Sequence, residues 1–108
     1  MTLEELKTML EETELPLAYH HFAEGESPEP PFLCFLCPSS DNFAADGRVW
    51  YPVTEVHVEL YTDRKDPEAE GALEAVLDDY GIFYNKSEVW IESERLYEVL
   101  YTFEIGGI

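Results

Sequence analysis

A chain of 108 residues, 45% of them hydrophobic, fits one compact domain spanning 1–108 and can build a core without disulfide staples. Twenty-four acidic against six basic side chains leave a formal charge of −18, which excludes proteins that grip a phosphate backbone or an anionic membrane surface through lysine and arginine. Two kinds of protein remain open: one that must not adhere to nucleic acid, and one that imitates it.

The opening, MTLEELKTML, is acidic and amphipathic and lacks the basic and apolar regions of a secretion signal. No apolar run reaches the length of a membrane span, so the expectation is a protein made in the cytoplasm with reduced thiols. Thr2 and Glu5 make a capping-box pattern, and Leu3, Leu6 and Leu10 follow at helical spacing. Together they predict a first helix over roughly 2–13, stopped by Pro16. LPLAYHHF reads as a short strand, and AEGESPEPP (23–31) as a loop. FLCFLC (32–37), an apolar run between Pro31 and Pro38, reads as a strand buried on both faces. PSSDNFAADGR (38–48) is turn chemistry ending in the hairpin signal Asp46-Gly47. In VWYPVTEVHVELYT (49–62), Val56, Val58 and Leu60 alternate with His57, Glu59 and Tyr61, which predicts a strand with one wetter face; Pro52 marks an edge or bulge near its start.

The second helix is the clearest element. Asp66 is its N-cap and Pro67 its first residue; Ala69, Ala72, Leu73, Val76, Leu77 and Tyr80 form its stripe, and Gly81 ends it. The remainder reads as a hairpin, with one strand ending near Ile91, a turn at ESER, and Tyr97, Val99, Tyr101, Phe103 and Ile105 alternating with Glu98, Leu100, Thr102 and Glu104. The predicted order is α-β-β-β-α-β-β. The fold class is α+β: about five antiparallel or mixed strands with both helices on one face. Such a sheet leaves its other face open, yet FLCFLC is apolar on both sides, which calls for a cover such as a partner subunit.

No catalytic, cofactor or metal site emerges. Cys34 and Cys37 form a Cys-x-x-Cys, but strand residues three apart point to opposite faces, so the two sulfurs serve as structural side chains. A redox pair of this spacing opens a helix, whereas here Pro38 follows. His20 and His21, adjacent in a strand, are expected to face opposite ways, and nothing in the spacing joins them with His57 as zinc ligands. DNFAADG lacks the alternating ligands of a calcium loop. The scarce cations have two readings. They serve solubility and local ion pairs, or Arg48, Arg64 and Lys65 meet acidic patches on neighbouring copies. Phe43, set among small polar residues, and the adjacent Trp50 and Tyr51 complete the candidate assembly interface.

The stretch VHVELYTDRKDPEAEGALEAVLDDYGIFYNKSEVWIESERLYEVLYTFEI resembles small head–tail proteins of long-tailed bacteriophages and prophages, of the tail-terminator or tail-completion type. The resemblance rests on the strand ending ELYTD, the KDPE helix start and the late hairpin running into YEVLYTFE; the N-terminal helix and short strand extend it over most of the chain. It implies a non-enzymatic, structural α+β subunit of the virion neck, made in the bacterial host cytoplasm, that needs no cofactor. It further implies a homo-oligomeric ring, commonly of six copies, that caps the tail tube, meets tail-tube and head-completion proteins, and lets DNA pass without binding it. No active-site residues carry over. The alternative is an acidic DNA mimic that inhibits a nuclease or a repressor. A mimic needs carboxylates in phosphate-like rows, whereas here they are spread through helices, loops and strands.

Overall fold

The computed structural model describes residues 1–45 and 47–106, and only the backbone of 43–45, 49 and 50. The element order is α1 (Leu3–Glu11), β1 (Leu17–Tyr19), β2 (Phe32–Ser40), β3 (Phe43–Ala45), β4 (Arg48–Tyr51), β5 (Val53–Thr62), α2 (Pro67–Asp79), β6 (Asn85–Ile91) and β7 (Leu96–Gly106). Five strands form a mixed sheet in the order β1-β2-β5-β7-β6, and β3 and β4 form a separate two-stranded hairpin. β1 runs parallel to β2, and every other neighbouring pair is antiparallel. The fold is α+β, with both helices packed on one face of the sheet.

Strand alternation decides what each face carries. Toward the helices point Leu33 and Phe35 of β2, Val56, Val58 and Leu60 of β5, and Val99, Tyr101, Phe103 and Ile105 of β7. They meet Leu6, Met9 and Leu10 of α1 and Ala69, Leu73, Val76 and Leu77 of α2. Each fully buried aliphatic side chain here stabilises the fold by about 1.5–3 kcal/mol relative to exposure. Both N-terminal caps form as the residues dictate: Thr2 and Glu5 close a reciprocal capping box, and the Asp66 carboxylate accepts the Ala69 N–H at 3.1 Å.

Several boundaries differ from expectation. The α1 stripe includes Met9, while Leu3 is 43% exposed. In α2 the buried face is rotated toward Glu70, leaving Ala72 exposed and Tyr80 outside as the C-cap. The Tyr80 hydroxyl donates to Glu12 at the end of α1, so this residue ties the helices together through its polar tip.

The expected end of β2 at Pro38 also shifts. β2 continues to Ser40 because its register slips there: Leu36 opposes His57 and Ser39 opposes Glu55, three steps on one strand against two on the other. A bulge is one of the few places where a sheet tolerates proline. Beyond it, what read as a turn over 38–48 includes the β3–β4 hairpin; Asp46 of its turn lies outside the described residues.

The apolar β2 is largely covered by its own chain. Parallel strands need a crossover of about a dozen residues, and the segment 20–31 supplies it without a helix. Phe22 of the crossover packs edge-on against Phe32 at 5.4 Å, and Tyr61 stacks on the same ring at 5.2 Å. Phe32 and Cys34 are thereby 7% and 4% exposed, so neither requires a partner subunit as cover.

Thr62, at the end of β5, is 2% exposed and its Oγ1 has no hydrogen-bond partner among the described residues. An unpaired buried hydroxyl costs about 1–3 kcal/mol. Thr62→Val should therefore raise stability by about 1 kcal/mol, seen as a melting temperature higher by roughly 4–8 °C; an unchanged or lower melting point would place a partner on that oxygen.

Candidate functional site: an acidic sheet face and a lysine-bridged helix

The six candidate assembly residues fall into two groups. Arg48 and Tyr51 lie on β4, beside the start of β5, and β3 and β4 also carry Phe43 and Trp50, whose side chains lie outside the described residues. Arg64 and Lys65 follow the other end of β5. A ten-residue strand spans roughly 33 Å, so the two groups sit at opposite ends of the sheet and form no single patch. Tyr51 is 52% exposed, yet its ring occupies the space a Cβ on Gly106 would need, so a glycine there lets the tyrosine lie over the end of β7. Arg48 and Arg64 are exposed and make no ion pair with a described residue.

Lys65 belongs to an intrachain network that the sequence did not announce. Glu70, on the inner side of α2, is 4% exposed. Its two oxygens meet Lys65 Nζ at 2.9 Å and Lys86 Nζ at 2.7 Å. Lys86 reaches Glu74 at 2.7 Å, Lys65 reaches Glu88 at 2.7 Å, and the buried Tyr101 hydroxyl donates to Glu74 at 2.7 Å. Burial pushes the Glu70 carboxyl upward, but the hydrogen bonds from Lys86 and Lys65 outweigh it and hold the group below its ordinary range. The network fastens α2 to β6 and β7 with two of the six cations in the chain.

The face without helices carries the opposite arrangement, in which carboxyls meet with little positive charge. Glu55 and Glu104 stand directly opposite each other on β5 and β7. Glu55 accepts from Ser39 Oγ at 2.7 Å and lies 3.0 Å from His57 Nε2; these contacts hold its carboxyl below the ordinary range. Further along, Tyr61 Oη donates to Glu59 at 3.2 Å. Glu98 lies diagonally across from Glu59 on this face, and hydrogen bonding with that carboxyl together with burial pushes Glu98 up to about 7.

Two concavities open on this face. One of about 650 Å³ lies among Glu55, Glu104, Asn85 and the 85% exposed Phe83. One of about 360 Å³ lies beneath the crossover, among Phe22, Phe32, Cys34 and Tyr61.

Cys34 borders the second concavity while Cys37 packs against the helix-side core, so the two thiols take opposite faces and both are free. Burial pushes the Cys34 thiol up to about 11, the reverse of an activated nucleophile. The histidines differ from the strand reading. β1 ends at Tyr19, His20 takes a left-handed conformation at φ 67°, and the His20 and His21 rings meet edge to face with their Nδ1 atoms 2.8 Å apart. Once the strand has ended, alternation no longer separates them. Among the described residues no three histidine, cysteine or acidic side chains converge as metal ligands, and no helix is long and apolar enough to cross a membrane. No protein-family model matches the chain, and no curated protein matches it in sequence.

The Glu59–Glu98 pair sets a pH dependence. The folded chain holds the Glu98 proton more tightly than an unfolded chain, in which a glutamic acid titrates near 4.3. The stabilisation is therefore complete below that value and lost as pH rises through about 7. Glu98→Gln keeps a hydrogen-bond donor without an ionisable proton. It should leave stability at pH 4 nearly unchanged and raise it at pH 8 by about 1 kcal/mol, a figure reduced for solvent screening. Urea unfolding at the two pH values checks this, and an equal effect at both would show that the Glu98 titration is not raised.

Proposed function

We propose that this chain is a structural subunit of the head–tail module of a long-tailed bacteriophage or prophage, of the tail-terminator or tail-completion type. It would assemble into a ring, commonly of six copies, that caps the tail tube and joins it to the head while DNA passes through. The observation that carries this reading is the behaviour of the stretch with the resemblance. Residues 56–105 fold as one unit, with β5, β7 and β6 as adjacent strands and α2 packed on their inner face.

Two further features support it. A ring subunit needs different surfaces for its two neighbours, and the candidate contacts divide in that way, Arg48 and Tyr51 at one end of β5 and Arg64 at the other. Lys65 adds less to such a contact, since Glu70 and Glu88 already hold it. A charge of −18 suits a protein beside moving DNA, because like charge suppresses adhesive contacts. The DNA-mimic alternative draws less support, since Glu98 is pushed up to about 7 where a mimic needs fully charged carboxylates.

Deleting the gene from the phage or prophage that carries it should yield tails of uncontrolled length, unattached to filled heads, in electron micrographs. Wild-type protein supplied separately should restore them. Normal tails joined to heads would overturn the reading, and tight capture of a nuclease or repressor would favour the mimic.

The purified protein offers a second check. The screening length falls from roughly 30 Å at 0.01 M salt to about 10 Å at 0.1 M. At fixed protein concentration, the associated fraction in light scattering should therefore rise across that range; a fall would mean that attraction between opposite charges drives assembly.

A further inference from the structure

We infer that the outer edge of β6 is a two-fold interface with a second copy of this chain, in which the two β6 strands pair antiparallel about Ser87. β6 is the last strand of the sheet, bonded to β7 on one side only, and six of its seven residues are exposed. Val89 is 52% exposed, Trp90 40%, and Phe83 just before the strand 85%.

Soluble proteins blunt such edges with proline, a bulge or an outward lysine. β6 has none of these. Its sequence, NKSEVWI, contains no proline, its register with β7 is unbroken from Asn85 to Ile91, and its one lysine is turned onto α2 by Glu70 and Glu74.

The strand is also complementary to itself. A two-fold axis perpendicular to the sheet keeps each face continuous, so paired residues must come from the same face and have the same parity. Centring on Glu88 sets two glutamates against each other, which is unfavourable. Centring on Ser87 sets Lys86, held by Glu70 and Glu74, beside Glu88 of the second copy twice over on the helix side, so that no like charges are opposed. On the other face, Asn85 meets the second copy's Val89 and Phe83 meets its Ile91, which removes the most exposed aromatic ring from water. Centring on Val89 gives Glu88 opposite Trp90 and leaves Phe83 without a counterpart. The Ser87 register thus satisfies charge and apolar surface together. This contact does not rest on the phage reading, and it leaves both ends of β5 available for other copies or partners.

The geometry gives a direct test by cysteine cross-linking of the full chain under mild oxidation at 0.1 M salt. Only the central residue meets itself, so Ser87→Cys should form covalent dimers at least ten-fold faster than Lys7→Cys, a control on the outer side of α1. Asn85→Cys alone and Val89→Cys alone should cross-link no faster than that control, while their mixture should give the heterodimer. Wild-type protein, with Cys34 buried and Cys37 half-buried, supplies the background. Rapid cross-linking of Ser87→Cys, with the heterodimer from the mixture, supports the interface. Ser87→Cys no faster than Lys7→Cys would overturn it, as would Val89→Cys cross-linking to itself fastest. If Ser87→Cys fails to fold by circular dichroism, the mixture alone decides: a heterodimer supports the register and its absence overturns it.

Discussion

Ten residues of β5 are matched one for one with β7, from Val53 opposite Gly106 to Thr62 opposite Tyr97, with no bulge between them. The rest of the molecule depends on that register. It aligns Val56 with Phe103, Val58 with Tyr101 and Leu60 with Val99 as the floor on which both helices rest. A slip of β5 by one residue would turn Glu55, His57 and Glu59 into the core and expose Val56, Val58 and Leu60, since strand side chains alternate with period two. The uncompensated charge alone makes every neighbouring register far less stable.

The molecule manages its excess of carboxylates in two physically different ways. On the helix side, where Glu70 is almost fully buried, two of the scarce lysines are brought to it, and each also binds a second glutamate. On the open face, Glu55 is steadied by a hydroxyl and an imidazole, and Glu98 is accommodated by a titration raised to about 7. The difference follows burial. A carboxylate cut off from water must be neutralised by a cation, whereas one at a partly wet surface can be accommodated by a local shift in its own titration. The bulge at Pro38 belongs to this arrangement, because the extra residue brings Ser39 onto the same face as Glu55.

Much of this architecture was legible in the residues. The capping box, the Asp66-Pro67 helix start, the alternation from Val56 to Leu60 and from Val99 to Ile105, and the separation of the two cysteines all rest on local periodicities, and the fold keeps them. The misses have non-local causes. Pro38 signals an end to β2 only if the partner strand has no bulge, and that information lies in β5. The α2 face rotates toward Glu70 because Lys65 and Lys86 lie elsewhere in the chain, the latter sixteen positions later. The cover over Phe32 comes from a crossover that reads as a polar, proline-rich loop; its one aromatic anchor, Phe22, sits just ahead of that loop and was the only available hint. The Glu59–Glu98 contact had no sequence signal at all, because it arises between diagonal positions of two strands nearly forty residues apart. For the same reason nothing local in the sequence separates Arg48 from Arg64, although a full strand length lies between them.

The parallel pairing of β1 with β2 also orders the chain in time. β6 and β7 meet through a short turn, whereas β5 reaches β7 only across both α2 and β6, from Thr62 opposite Tyr97 to Val53 opposite Gly106. β2 meets β5 at closer range, across the β3–β4 hairpin, and β1 can dock only after β2 is in place and the twelve-residue crossover has closed. Closing such a loop costs entropy that grows slowly with its length. β1 and the crossover are thus additions to an edge that β2 must already have formed. During synthesis the order of emergence is the reverse: the residues that dock last leave the ribosome first. The apolar β2 must therefore wait, uncovered, until the strand that receives it has been made.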